Sequence, residues 1–343
     1  MYDFEIGRVV AWIREEKAES ILVQAPDGIK PYLSPLLEAL EESGVKPLLS
    51  GSHAWGGCDV AVGEARILGV RHIVHLGHHG PVRFRVPKDV KVLFVPCRSL
   101  VCRVPLDNLI STLESVQARN VGVVGTVQHA HQLNELARKL INAGFAASVG
   151  RSEHLPEGVV LGCDYSAALS LEDADAYVVL AGGLFHALGL AIVTDKPVVS
   201  VDPFTGRVEV IDERTRRRIL SRRLSDLSRA LDAKEIAIVV SVKPGQLMLR
   251  AAERAQRELR ARGYRTRVIV LNDITRDALL NAGLADAYLN TACPRLVTDD
   301  LGVFPGPAVN IGELEYLTGR SLSEYRLRDS LSPRAKACAK GRL

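Results

Sequence analysis

No two of the six cysteines in this 343-residue sequence are spaced as CxxC, so the close ligand pairs on which structural zinc sites are usually built are missing. Six cysteines in so long a chain do not make a disulfide scaffold either. Charge of one sign is also lacking. The 44 Lys and Arg against 40 Asp and Glu leave +4, too weak a balance to argue for nucleic acid or an anionic membrane. A 47% hydrophobic, 24% charged composition excludes intrinsic disorder, and the 28 glycines follow no G-X-Y period, which excludes collagen. The first twenty residues carry charges every few positions with no continuous apolar stretch, unlike a signal peptide. They read as an amphipathic helix with Ile6, Val9, Val10 and Ile13 on one face. The uncharged run Tyr177 to Val193 is interrupted by Gly182-Gly183, His186 and Gly189. It predicts a strand, a glycine turn and a short buried helix rather than a span of about 20 apolar residues. A cytoplasmic protein with reduced thiols and no membrane partner is expected.

A threefold rhythm organises the chain. Strand-like runs open at Ile21–Gln24, Val121–Gly125 and Ile236–Val240. Each passes through a loop (Ala25–Gly28, Thr126–His129, Ser241–Gly245) into a helix that ends at Gly44, Gly144 or Gly263, glycine being the residue that closes a helix in the left-handed conformation without steric cost. A second β-rich stretch follows each time: 46–49, 146–149, 266–270. Further strands are expected at 72–76, 90–95, 177–181, 198–201 and 287–290. Continuous apolar strands alternating with helices predict an α/β protein of parallel sheets covered on both faces. Pro105 and Asp212 divide the chain into three homologous domains, 1–105, 106–210 and 211–343, whose strand ends could face a common centre, where ligands of such sheets bind.

Each third carries one cysteine after its second β-stretch, in Trp55-Gly-Gly-Cys-Asp59, Leu161-Gly-Cys-Asp164 and Thr291-Ala-Cys-Pro-Arg295. They lie 37, 42 and 57 residues beyond the start of the opening strand. Chance placement of a small, commonly buried residue accounts for this as well as function does. The flanking glycines and Pro294 favour ligands, which sit in tight loops with accessible sulfur. Three converging thiolates suit an iron–sulfur cluster that keeps one iron open for a substrate. The usual radical-SAM loop, CxxxCxxC, is absent. Cys97 and Cys102 have the wrong spacing and read as structural or incidental, and Cys338 sits in a lysine-rich tail.

At these residues the sequence resembles archaeal 2-(3-amino-3-carboxypropyl)histidine synthase of the subunit 2 type, the family that performs the first step of diphthamide biosynthesis. The matching segments are Gln24-Ala-Pro-Asp-Gly28, Trp55-Gly-Gly-Cys-Asp59, Val74-His-Leu-Gly-His78, Leu161-Gly-Cys-Asp164 and Ala292-Cys-Pro-Arg295, spread over nearly the whole chain. Asp27 stands where a glutamate is common in the family, which keeps the carboxylate but shortens its reach. The resemblance implies three homologous domains around a central 4Fe-4S cluster ligated by Cys58, Cys163 and Cys293, and a homodimer. It implies transfer of the 3-amino-3-carboxypropyl group of S-adenosylmethionine (SAM) to a histidine of translation elongation factor 2, with release of 5′-methylthioadenosine and electrons from a separate donor.

Other residues carry weaker expectations. Asp27, Gly28 and Lys30, in the first strand-end loop, are candidates to contact SAM, a charged pair suiting its carboxylate and amine. His53, His75 and His78 are candidates for the pocket lining or for plain structural roles. Gln128, His129 and His131, and Ser241, Lys243 and Gly245, are placed towards the centre by repeat equivalence. The stretch 305–311 is too rich in Pro and Gly for a helix and is expected to line the cleft or cross the surface. The basic helix 214–229 is expected to have a leucine stripe (Leu220, Leu224, Leu227, Leu231) and a solvated arginine face, or else to dock the protein substrate. Two other functions compete: a quinolinate-synthase-like iron–sulfur dehydratase, and a non-catalytic iron–sulfur redox or assembly partner.

Overall fold

The computed structural model describes residues 1–299 and 302–331; the Cys338 tail lies outside them. After a short strand β1 (Tyr2–Asp3) and a helix (Ile6–Glu15) that buries Val9 and Ile13, the first parallel sheet forms from β2 (Ser20–Gln24), β3 (Lys46–Leu49), β4 (His72–Leu76) and β5 (Lys91–Val95). Its spatial order is β3-β2-β4-β5. Strand β6 (Arg98–Ser99) returns to pair antiparallel with β1. The second sheet repeats the order with β7 (Asn120–Gly125), β8 (Ala146–Val149), β9 (Ala176–Leu180) and β10 (Val198–Asp202), as β8-β7-β9-β10. The third does so with β12 (Glu235–Ser241), β13 (Arg265–Leu271), β14 (Ala287–Asn290) and β15 (Ala308–Asn310), as β13-β12-β14-β15. Between them β11 (Arg207–Ile211) adds an antiparallel edge to the second sheet, a strand without forerunner in the sequence reading.

The repetition extends to single bonds. The second strand of each sheet begins with an N–H donated across to the residue before the first strand: Lys46 to Glu19, Ala146 to Arg119 and Arg265 to Lys234, at 3.0, 2.8 and 2.9 Å. Gly44, Gly144 and Gly263 close their helices at φ 77°, 96° and 91°. The segment Tyr177 to Val193 resolves into β9, a turn at Gly182-Gly183 and a helix Phe185–Val193. Among the described residues no helix is long and apolar enough to cross a membrane.

Two expectations need correcting. Within 305–311, Ala308–Asn310 is a fully buried strand, not a cleft or surface crossing; its short apolar run pairs with β14, and the surrounding Pro and Gly merely bound it. The basic helix, Glu213–Leu231, keeps its leucine stripe inward as far as Leu227 but does not turn all its arginines outward. Its inner face is Arg223, Leu227 and Ala230, while Leu231 is exposed. The spacing of 223, 227 and 230 is as helical as that of the leucines, and the charge at Arg223 is met by a partner distant in sequence.

That partner is Glu313. Its carboxylate accepts from Arg223 Nε and Nη2 at 3.1 and 2.6 Å, from the Tyr325 hydroxyl at 2.7 Å and from the Asn310 N–H at 2.8 Å. Both side chains are out of solvent. Breaking such a pair strands a buried charge and costs about 3–5 kcal/mol, whereas replacing both partners by apolar groups can cost little. Glu313→Ala is therefore expected to destabilise the third unit by about 3 kcal/mol in urea unfolding, and Arg223→Met/Glu313→Leu by clearly less.

Candidate functional site

Cys58 lies between β3 and the helix Val62–Ile67, and Cys163 between β8 and the short helix Ser166–Leu169. Cys293 follows the third strand of its sheet, β14, and precedes the helix Arg295–Thr298. The three are thus not at equivalent points of the repeat, which is why the third offset is the longest. All three are half-buried and none is in a disulfide.

The loops that carry them are laced together, partly through the loops that follow β4 and β12. The Gly245 N–H donates to the Cys58 carbonyl at 2.8 Å. A Cβ at Gly245 would fall 2.1 Å from the Val82 carbonyl oxygen and 2.6 Å from Cys58 Cβ, so only glycine fits. Val82 in turn donates its N–H to Gly57 at 3.0 Å, and Arg83 Nη2 donates to the Cys163 carbonyl at 3.1 Å. From the third sheet, Arg295 reaches the second: Nη1 donates to Gly162 O at 3.2 Å and to the Tyr165 hydroxyl at 2.7 Å, and Nη2 to Phe185 O at 2.6 Å. Its guanidinium also lies 3.9 Å from the Phe185 ring centroid. Asn290 Nδ2 donates to Cys293 O at 2.8 Å. Among the described residues no three His, Cys, Asp or Glu side chains close on one point as the ligands of a single metal ion do.

Burial pushes the Cys58 thiol up to about 12, and the Cys293 and Cys163 sulfurs add to that shift, while Gln246 Nε2, 3.5 Å from Sγ, opposes it. The Cys293 and Cys163 sulfurs are therefore near enough to disfavour ionisation of Cys58. Lys243 carries the first and third units' charge contact. Burial works against its ammonium, but Asp59 and Asp273, each 3.0 Å away, outweigh burial and hold it protonated above its usual range.

The expected residues are distributed unevenly around this centre. Lys243 and Gly245 are in it. Asp27 and Lys30 pair with each other at 2.7 Å, in an exposed loop. Lys30 also donates to Gly51 O and Ser52 O, at 3.1 and 2.6 Å, and Asp27 accepts from His53, so the first loop's charges are spent on one another. His53 is exposed. Gln128 donates to the Gly77 carbonyl, across the first two units. His129 is buried beside Gln132, its Nδ1 2.8 Å from Oε1, and His131 is exposed. Cys97 is fully buried in the first core and Cys102 is exposed.

His75 and His78 form a relay. Gln24 Nε2 donates to Asp59 O, so its Oε1 accepts, from Ala61 N and from His75 Nδ1, both at 2.9 Å. His75 Nε2 then meets His78 Nδ1 at 2.9 Å. Burial holds His75 well below its usual value, brings His78 down to about 4, and brings His186, with help from Arg295 and His78, down to about 3. Sequence reading missed Asp59, Arg83, Tyr165, His186 and Gln246. Only Asp59, beside Cys58, had a local signal; the others are drawn in by contacts across units.

Two measurements follow. In metal-free protein at pH 8, a thiol raised to about 12 is ionised about once in 10⁴, so iodoacetamide should modify exposed Cys102 well before Cys58. Because the unfolded chain protonates histidines near 6.5 and the fold does not, stability should be present above pH 6.5. It should fall as pH drops below that value, by about 1.4 kcal/mol per pH unit for each such histidine, and the slope should shrink in His75→Gln.

Comparisons with known proteins agree with this architecture. A family model described as "Putative diphthamide synthesis protein" matches residues 25–326. The chain is 33% identical over 322 residues to 2-(3-amino-3-carboxypropyl)histidine synthase of Pyrococcus horikoshii, covering 93% of this chain and 91% of the relative. It is 27% identical over 315 residues to subunit 1 of the synthase of Yarrowia lipolytica, covering 89% and 70%. The crystal structure of Dph2 from Pyrococcus horikoshii with a 4Fe-4S cluster superposes with a TM-score of 0.84 at 32% identity, over 95% of this chain and 94% of that one. With the match spanning almost the whole described chain, the protein belongs to the diphthamide synthesis protein family.

Proposed function

We propose that this protein transfers the 3-amino-3-carboxypropyl group of SAM to a histidine of translation elongation factor 2, the first step of diphthamide synthesis, with a 4Fe-4S cluster held by Cys58, Cys163 and Cys293. The observation that carries the proposal is the lacing of three cysteine loops, one from each sheet, in a family whose Pyrococcus horikoshii member holds such a cluster. The donor set fits that group. Thiolates on separate irons need not meet at one point, unlike ligands of a single ion, and three of them leave one iron for a substrate. Burial keeps the Cys58 thiol from ionising alone, so a bound metal would supply the compensating positive charge. When bound, the reduced cluster supplies the electron with which the SAM sulfur–γ-carbon bond is broken.

The chain's own residues shape the surroundings. Lys243 between Asp59 and Asp273 fixes the third unit's loop against the first, and Arg295 with Tyr165 fixes the second against the third. Asp27, Gly28 and Lys30 are proposed SAM contacts, and each charged member must exchange a present partner to make one. Three domains divided near residues 105 and 210, a homodimer, a cytoplasmic setting, a separate electron donor and no nucleic-acid partner belong to the same reading. Neither the dehydratase nor the carrier alternative has an observation of its own in its favour.

The test is to purify the protein without oxygen, reconstitute it with iron and sulfide, reduce it with dithionite and add SAM with elongation factor 2. 5′-Methylthioadenosine and a modified histidine are expected; 5′-deoxyadenosine, or unconsumed SAM, would contradict the proposal. Cys58→Ala, Cys163→Ala and Cys293→Ala should each lose the brown chromophore, and Cys102→Ala should keep it.

A further inference from the structure

Among the described residues three buried side-chain polar atoms have no hydrogen-bond partner: Nη1 of Arg83, Nδ1 of His186 and Nε of Arg267. The last lies on the edge strand β13. The first two belong to the cysteine centre, Arg83 through the Cys163 carbonyl and His186 through its neighbours Arg295 and His78. A buried donor left unpaired is costly, more so when it is charged, so Arg83 marks a place where an acceptor is missing.

Arg83 stands at the seam of all three loops. Val82, just before it, donates to Gly57 beside Cys58, and the Val82 carbonyl abuts Gly245. The Arg83 side chain then crosses to Cys163 with Nη2, leaving Nη1 over. Its backbone sits at φ 64°, in the left-handed region that a residue with a Cβ disfavours. The fold thus holds this guanidinium at the centre against its local preference, as is common where a side chain is positioned for a ligand. Among the described residues Arg83 forms no ion pair; its one protein acceptor is a carbonyl. The missing partner is an anion, and a guanidinium edge matches a carboxylate.

We infer that Arg83 binds the α-carboxylate of SAM through Nη1. The inference rests on SAM being the substrate, as proposed above. The methionine half of SAM carries one carboxylate, and the transferred 3-amino-3-carboxypropyl group retains it. An anchor there holds the departing fragment while its bond to sulfur breaks. Lys30, the other cation considered for this task, already has three oxygen acceptors for its three N–H groups.

The test measures binding to the reconstituted holoenzyme by equilibrium dialysis, with SAM and with decarboxylated SAM. Arg83→Gln should weaken SAM binding about ten- to hundredfold, the loss of one charge-assisted hydrogen bond, and leave decarboxylated SAM unchanged. Arg83→Lys, which keeps the charge without the planar edge, should fall between. Iron and sulfide content and the reduced cluster's electron paramagnetic resonance spectrum should match the unaltered protein. Unchanged SAM affinity, an equal loss for both ligands, or an altered cluster spectrum would overturn the assignment. Unaltered protein that binds SAM but forms no 5′-methylthioadenosine would sink the transferase reading and leave the carboxylate contact standing.

Discussion

The approach of Gly245 to Cys58 fixes the rest of the centre. With no room for a Cβ between the third unit's loop and the Val82 carbonyl, the two loops can sit together in one way only, and the backbone bond from Gly245 to Cys58 holds them there. Val82 lies in the same contact and directs Arg83 to the second unit. Close packing makes such seams stiff: interiors are packed like crystals, and a shift at one edge is transmitted to the others.

Charge explains why such a seam is held by ion pairs rather than by apolar contact alone. Lys243, Arg295 and Arg83 are three cations in contact with the loops that carry the three thiols, and two of them are neutralised locally, Lys243 by Asp59 and Asp273 and Arg295 by Asp299. Arg295 passes so close over the helix Phe185–Val193 that Gly189 is required there, a Cβ falling 1.8 Å from the Tyr165 hydroxyl. The thiols are the counterpart. Burial and the two neighbouring sulfurs disfavour the Cys58 thiolate, and a metal that takes the proton's place would lift that penalty.

Much of this was legible in the sequence, because the signals were local. Continuous apolar runs, helices stopping at glycine and the return of the pattern after Val121 and Ile236 are short-range facts, and the three sheets follow from them. The cysteine loops were legible through their glycines and through family resemblance. What escaped depends on contacts between residues far apart in the chain. Arg223 looked like one solvated arginine among many because Glu313 is 90 positions away. Strand β15 was hidden in a Pro-Gly stretch because three residues suffice when a neighbouring strand supplies the pairing. The position of Cys293 after the third strand rather than the second needed the strands themselves. Arg83 had no signal at all, since neither its unusual backbone nor its unpaired nitrogen has a trace in residue order.

The most direct test of the central claim, that three thiolates from three units hold a cluster with one iron left open, is Mössbauer spectroscopy of protein reconstituted with iron-57, recorded with and without SAM. One of the four irons should change its spectrum when SAM is added while the other three stay as they were. Four irons that are alike and indifferent to SAM, or a protein that takes up no cluster, would contradict the account.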